Sequence, residues 1–264
     1  MEQLRSGIWL AHADATGFPT VSVALLTRRR AFVIDTLTRP ADMDPIVDLW
    51  RERAGPRRVI VVNTHHHWDH VYGNAAFAGE DIVAHVACRR LLLAQPVAGG
   101  EPVPPAPPEG VPLPSITFHV GLDYVDEDDV VRLIHAPGHS EDSVAVFVQS
   151  ARILFPGDAL EWPFPSFSRG GGVEAWLRTI VMLRHLGADL IVPSHGPPMG
   201  RALLDANERY IAGLVAAVRA AKQSGAGAED LDLPVSQFVD PGVEVDGPYV
   251  ELHAANLARG WSDV

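Results

Sequence analysis

The sequence predicts an α/β protein with two similar sheet halves and helices outside them, a four-layer α/β sandwich. Three observations predict it. Short apolar runs of strand length recur along the chain, and several end in a turn that carries a histidine or an aspartate. Segments with apolar residues at helical spacing alternate with those runs. The order also repeats: strands with a helix, a loop of ionisable residues, strands again, then a helix.

Residues 21–27 and 31–35 are apolar runs separated by Arg28-Arg29-Arg30, which predicts a hairpin with solvated arginines at its turn. Residues 42–54 place Met43, Ile46, Val47, Leu49 and Trp50 at near-helical spacing, and Gly55-Pro56 stops the helix. Arg58–Val62 is a buried strand. Residues 74–77 predict a short helix, 81–84 a strand and Val86–Ala94 a helix. Residues 95–115 are too rich in proline for regular structure, so they form either a surface loop or a lid. Strands resume at 116–119, 130–135, 143–148 and 152–155. Residues 173–187 form an amphipathic helix with Trp176, Leu177, Ile180, Leu183 and Leu186 on one side. A short strand at 190–193, a long helix at 201–223 closed by Ser224-Gly225-Ala226-Gly227, and a last helix at 249–259 complete the reading.

At 264 residues the chain suffices for a single domain, with a core over about 8–200 and a helical extension over 201–264. Hydrophobic residues at 47% and charged residues at 20% are ordinary for a folded domain. A net charge of −12 argues against a nucleic-acid groove, which needs a basic stripe. Cys88 is the one cysteine, so no intrachain disulfide forms and no thiolate cluster holds a metal. Nothing approaches the ~18 apolar residues of a membrane span, and no signal-length apolar stretch follows Met1, which fits a cytoplasmic protein that meets no membrane. The 201–223 helix and the C-terminal segment could serve as a homodimer surface, although long amphipathic helices more often pack on their own domain.

The loop after Val62 reads His65-His66-His67-Trp68-Asp69-His70. So many imidazoles beside a carboxylate point to bound cations. Residues two apart on an extended segment face the same way, so His65 and His67 can share an ion, while Asp69 and His70 on the next turn can reach a second. His66 faces away and is not expected to be a ligand, and Trp68 packs beneath the site or lines its entrance. Three more strand ends carry a potential ligand each: Pro137-Gly138-His139, Pro156-Gly157-Asp158 and Pro193-Ser194-His195-Gly196. Glycine beside the ligand permits the unusual dihedrals of such turns. Strand-end residues converge at one edge of a sheet, where α/β proteins place their sites. Five imidazoles and two carboxylates suit two divalent ions sharing a carboxylate, with Zn²⁺ favoured and Fe or Mn also suited.

His-x-His-x-Asp-His, Pro-Gly-His-Ser, Pro-Gly-Asp and Ser-His-Gly, in that order, resemble the metallo-β-lactamase-fold hydrolase superfamily over at least residues 20 to 200. The resemblance implies an αββα sandwich with the site at one edge of its two sheets. It implies that His65, His67 and His139 hold one metal, that Asp69, His70 and His195 hold the other, and that Asp158 bridges them. Family members carry a supporting aspartate in this region, so Asp35, at the end of 31–34, is the candidate for orienting the imidazoles; the alternative is a strand-end carboxylate in solvent.

Departures narrow the subfamily. Flavodiiron-type members have Glu where His67 stands. True zinc β-lactamases generally lack the bridging aspartate. Glyoxalase II-like enzymes share all seven ligands but add a basic C-terminal glutathione-binding segment that is not found after Arg201. Acyl-homoserine lactonases add a tyrosine that is absent between Asp158 and His195. Mononuclear iron persulfide dioxygenases share some of the motifs.

The expected chemistry is hydrolysis of a small-molecule ester, thioester or lactone by a hydroxide shared between two ions, with Asp69 as proton acceptor. Phosphodiester or β-lactam hydrolysis, an iron dioxygenase, and lastly a non-catalytic metal protein are the alternatives. An aromatic segment over 161–169, with Trp162, Phe164 and Phe167, is either an apolar substrate pocket or a corner packed on the 173–187 helix. Gly170-Gly171-Gly172 behind it reads as a hinge. His12, His85, His119, His135, His185 and His253 have no partner at ligand spacing.

Overall fold

The structure, a computed structural model, describes residues 1–14, 17–94, 110–127, 129–168, 170–228 and 231–264. Two β-sheets with flanking helices make the chain mixed α/β, as the strand–helix alternation predicts. The chain divides into two compact units, one of residues 1–135 and 144–151, the other of 136–143 and 152–264.

The first unit opens with β1 (Glu2–Arg5) and β2 (Ile8–Ala13), which the sequence reading does not anticipate. The exposed, polar β1 has no apolar pattern of its own and owes its strand geometry to the ladder with β2. The predicted hairpin follows as β3 (Thr20–Leu26) and β4 (Arg30–Ile34). Helix α1 (Asp44–Arg53) then leads to β5 (Arg58–Val62). Its Ile46, Leu49 and Trp50 join Trp9, Val33, Met43 and Val61 in one buried cluster. A one-turn helix α2 (Trp68–Val71), β6 (Asp81–His85), α3 (Val86–Ala94) and β7 (Ile116–Phe118) complete a seven-stranded sheet ordered β1 to β7. Strands β4 to β7 are parallel, and their register sets Ile34 beside Val62. The residues that leave these two strands therefore emerge side by side.

The same unit holds an antiparallel ladder of β8 (Gly121–Asp126), β9 (Asp129–His135) and β10 (Val144–Val148). Strand β8 escapes the sequence reading because Leu122, Tyr124 and Val125 are interleaved with acidic residues and give no continuous apolar run. The second unit carries the parallel pair β11 (Ile153–Phe155) and β12 (Leu190–Ile191) with α4 (Val173–His185), α5 (Ala202–Gln223) and α6 (Pro248–Asp263). Trp176 of α4 donates from Nε1 to the Ala159 carbonyl at 2.8 Å, and Thr179 donates to the Pro137 carbonyl at 2.6 Å. Helix α6 runs four residues past the predicted end, to Asp263. No helix among the described residues is long and apolar enough to cross a membrane. Of the 95–115 loop, residues 95–109 lie outside the described residues.

Close packing generates the first prediction. A Cβ on Gly73 would overlap the Thr36 carbonyl oxygen and stand 2.9 Å from Met43 Cγ. Gly73→Ala is expected to destabilise the protein by about 1–3 kcal/mol, read as a lower denaturation midpoint. The second concerns His253, whose Nδ1 accepts from the Tyr210 hydroxyl at 2.8 Å while Nε2–H donates to the Leu233 carbonyl at 2.8 Å. Burial holds its pKa below the usual histidine value, against the Leu233 contact that raises it. The unfolded chain therefore takes the proton first as pH falls below about 6.5, and stability is lost from there down to the folded-state pKa. Denaturant midpoints at pH 7.5 and 5.5 should differ less in His253→Gln than in the wild type; an equal drop in both would exclude His253 as a contributor.

Candidate metal centre

In the first unit the site begins where β4 and β5 end. Asp35 leaves β4 with φ +60°, a left-handed conformation that aspartate tolerates better than most residues. This directs its carboxylate at the segment that follows the neighbouring strand β5. Oδ1 accepts the Thr64 N–H at 2.8 Å, and Oδ2 accepts both the Thr64 hydroxyl and His70 Nδ1–H at 2.8 Å. Because the Thr64 hydroxyl spends its proton on Asp35, its oxygen must accept from His65 Nδ1–H, 3.1 Å away. One carboxylate thus fixes both His65 and His70 as Nδ1–H tautomers, with Nε2 the unprotonated nitrogen a metal needs.

His67 is extended, at φ −64° and ψ 147°, and precedes α2, which carries Asp69 and His70. Donor atoms of His65 and His67 lie within 4.8 Å of one another, and so do those of Asp69 and His70. Asp69 Oδ2 is 3.4 Å from His70 Nε2 and accepts the buried Thr20 hydroxyl at 3.1 Å. His66 belongs to neither pair of donors; its ring lies 4.7 Å from that of His67. Trp68 is half-buried, with its ring 6.2 Å from Tyr72.

In the second unit, Gly138 lies against Trp176 so closely that a Cβ would enter the indole ring, and Gly171 lies equally close to the Gly138 carbonyl. These contacts press the turn that bears His139 onto α4. They explain why residue 171 is glycine: the backbone approaches too closely for a Cβ. His139 Nδ1–H donates to the Ser166 carbonyl at 2.9 Å, leaving Nε2 for a metal. Asp158 sits on a single helical turn, Gly157–Ala159, entered with Gly157 at φ +58°. One of its oxygens, Oδ2, stands 3.6 Å from His139 Nε2 and 3.5 Å from His195 Nε2. His195 precedes Gly196, whose φ of +118° is closed to most side chains.

Two donors at ~2.1 Å on a tetrahedral ion stand about 3.4 Å apart. The spacings of 3.4, 3.5 and 3.6 Å in the two units fit that geometry. His65, His70, His139, Asp158 and His195 are all buried. A buried set of imidazoles and carboxylates is costly unless charge is neutralised, and a divalent cation does so. These are His/Asp groups able to hold a metal ion.

The sequence reading misses Glu161 as a site residue. It is buried, its Oε1 lies 3.7 Å from His139 Nδ1, and it accepts the Ser166 N–H at 3.0 Å and hydroxyl at 2.7 Å. Burial, and then the Asp158 charge, push its carboxyl above the usual range. It belongs to none of the ligand motifs, and its place three positions after Asp158 was the one signal in the sequence.

The aromatic segment needs correction at Phe164. It is fully buried, with its ring stacked on Tyr210 of α5 at 4.5 Å and edge-on to His253 of α6 at 6.1 Å. It is a core residue, packed on α5 and α6 rather than on the α4 expected. Phe167 is half-buried, 5.4 Å from Trp176, and Trp162 is half-buried, its N–H donating to the His195 carbonyl at 3.0 Å. Arg169, the last residue of that segment, lies outside the described residues.

The family model described as the metallo-beta-lactamase superfamily matches residues 15–195. A probable hydroxyacylglutathione hydrolase from Schizosaccharomyces pombe is 27% identical over 135 residues, which are 48% of this chain and 44% of that protein. The chain spans less than half the length of the curated relatives it matches. Among solved structures, the DIM-1 metallo-beta-lactamase superposes with TM-score 0.66 at 19% identity, covering 80% of this chain and 96% of its own. A metallo-beta-lactamase from Pontibacter korlensis gives TM-score 0.63 at 21% identity, covering 77% and 94%. At such identities the likeness establishes the fold.

The Asp35 contacts generate a prediction. Asp35→Asn preserves size but cannot accept from the Thr64 hydroxyl and His70 Nδ1–H as a carboxylate does. Affinity for zinc, measured by chelator competition, is expected to fall roughly 10–100-fold. Unchanged affinity would show that the Asp35 carboxylate has no part in presenting His65 and His70.

Proposed function

The chain belongs to the metallo-beta-lactamase superfamily, and from that membership we propose that it is a dinuclear metal-dependent hydrolase that cleaves an ester, thioester or lactone of a small molecule. We assign His65, His67 and His139 to one ion, Asp69, His70 and His195 to the other, and Asp158 to both. The position of Asp158 carries the reading. A single carboxylate oxygen lies within 3.6 Å of the metal-binding nitrogens of two histidines from different motifs. A cation held by either histidine is within reach of the same oxygen, which is what a bridging ligand requires. Five imidazoles with two carboxylates favour Zn²⁺ among divalent ions.

Two divalent cations bound there would lower the pKa of water towards neutrality and polarise a carbonyl oxygen. The chain's own contribution is to hold the donors rigid. Asp35, Thr64 and the Ser166 carbonyl set the tautomers of His65, His70 and His139, so that no rotation or proton shift precedes binding. Asp69, oriented by the Thr20 hydroxyl, is placed to take the proton of the attacking water and return it to the leaving group. No covalent intermediate is needed. The relative named a probable hydroxyacylglutathione hydrolase supports the thioester within the proposed substrate range. Half-buried Trp68, Trp162 and Phe167 are the candidates for contacts with an apolar acyl group.

Metal analysis of the purified wild type is expected to return close to two ions per chain, and Asp158→Ala one or none, with esterase and thioesterase activity reduced at least ~100-fold. Two ions and full activity in Asp158→Ala would exclude the bridged centre. Assay of the zinc, manganese and iron forms on thioesters, lactones, β-lactams and phosphodiesters then identifies the bond that is cut. Turnover confined to phosphodiesters or β-lactams would replace the proposed substrate class.

A further inference from the structure

The segment that presents the Ser166 carbonyl to His139 has no strand or helix to hold it. Pro165, Ser166 and Phe167 lie outside any strand or helix, yet the Pro165 carbonyl, both Ser166 backbone groups and the Phe167 N–H find side-chain partners. The Ser166 N–H and hydroxyl go to Glu161. The groups on either side go to one side chain of α6. Asn256 Oδ1 accepts the Phe167 N–H at 2.8 Å, and Asn256 Nδ2 donates to the Pro165 carbonyl at 2.9 Å. The carboxamide, completely buried, thus pairs with residues 165 and 167 as a neighbouring strand would. Its Nδ2 also donates to the Tyr210 hydroxyl at 3.0 Å, which ties the grip to α5. On the same side, Asn207 of α5 accepts the Glu161 N–H at 3.0 Å and donates to the Glu161 carbonyl at 2.9 Å. Both asparagines lie beyond residue 195, where the family match ends.

We propose that Asn256 is a positioning residue for His139: by gripping the backbone at 165 and 167 it aims the intervening Ser166 carbonyl at His139 Nδ1, and so makes the C-terminal helix part of the metal centre. The inference rests on the proposed role of His139 as a ligand. Its physical basis is that a hydrogen bond to the far nitrogen fixes the tautomer and the direction of the ligating one. A carbonyl held by two backbone contacts on either side of it keeps that direction. The same carbonyl in an ungripped loop would wander by more than the few tenths of an ångström that metal ligation allows.

The test uses the full chain and four proteins: wild type, Asn256→Ala, Asn256→Asp and Leu257→Ala. Leu257 is a buried apolar neighbour on the same helix, so its truncation loosens α6 while leaving the Asn256 carboxamide and its hydrogen-bond partners in place. Two properties are read: the slowly exchanging His139 Nδ1–H resonance in metal-free protein, assigned with His139→Gln, and zinc affinity by chelator competition. Asn256→Ala is expected to lose protection of that resonance and to bind zinc ~10–100-fold more weakly. Asn256→Asp keeps the acceptor for Phe167 N–H and should fall between it and the wild type. Leu257→Ala should melt earlier but keep the resonance and bind zinc within about twofold of wild type. Wild-type protection and affinity in both Asn256 variants would overturn the proposal, as would an equal loss in Leu257→Ala. If Asn256→Ala does not fold, Asn256→Asp against Leu257→Ala decides alone. A wild type that binds no zinc would refute the metal reading, and the His139 resonance would still decide the positioning role.

Discussion

The carboxylate of Asp35 is buried with three hydrogen bonds pointing into it, from the Thr64 amide, the Thr64 hydroxyl and His70 Nδ1. Remove any one and a buried donor is left unmatched, at a cost of about 1–3 kcal/mol. The arrangement is possible because parallel pairing of β4 with β5 brings Ile34 level with Val62. The residues just past each strand then meet across a hydrogen-bond distance. The direction of two imidazoles is therefore decided by strand register, through a side chain that no metal touches. Asn63, paired by both amide groups with Asn74, and the Thr64 carbonyl, which accepts from the Val144 N–H at 2.8 Å, hold the rest of the loop.

The second unit reaches a similar result by different means. Its candidate ligands come from three separate turns, and close approach of backbone does the work that a carboxylate does in the first unit. Gly138 and Gly171 let the His139 turn settle against Trp176, and Gly196 lets the chain after His195 pass Trp162. The far nitrogen of His139 is then met by a backbone carbonyl from a segment steadied by α5 and α6. Glycine at these positions is a steric requirement, since any Cβ would enter a ring or a carbonyl.

Much of this was legible in the residues. Apolar runs located β5, β9, β10 and α3 to within a residue; β10 is buried throughout, while β9 and α3 keep enough apolar residues around Arg132 and Arg89-Arg90 to be recognised. The ligand candidates were legible because a metal site needs particular side chains at particular spacings, and period-two geometry separated His65 and His67 from His66. Strands β1 and β8 were not, since an exposed edge strand carries little pattern and is made by its partner. Nor were Glu161 and Asn256, which act at ranges of 22 and 117 residues from His139 and have no spacing rule. Phe164 was misread for the same reason: whether an aromatic residue faces a pocket or Tyr210 depends on where α5 passes.

By itself the sequence determined the α/β class, the donor types and the local geometry of each ligand turn, because these depend on neighbours within a few residues. Tertiary structure decided the tautomers, the contacts of Asp158 with two histidines and the burial of the aromatic segment. Each of those is a meeting between residues far apart in the chain. Hydrogen-bond direction and close packing are properties of the folded interior, and no pattern along the chain encodes which distant group will supply them.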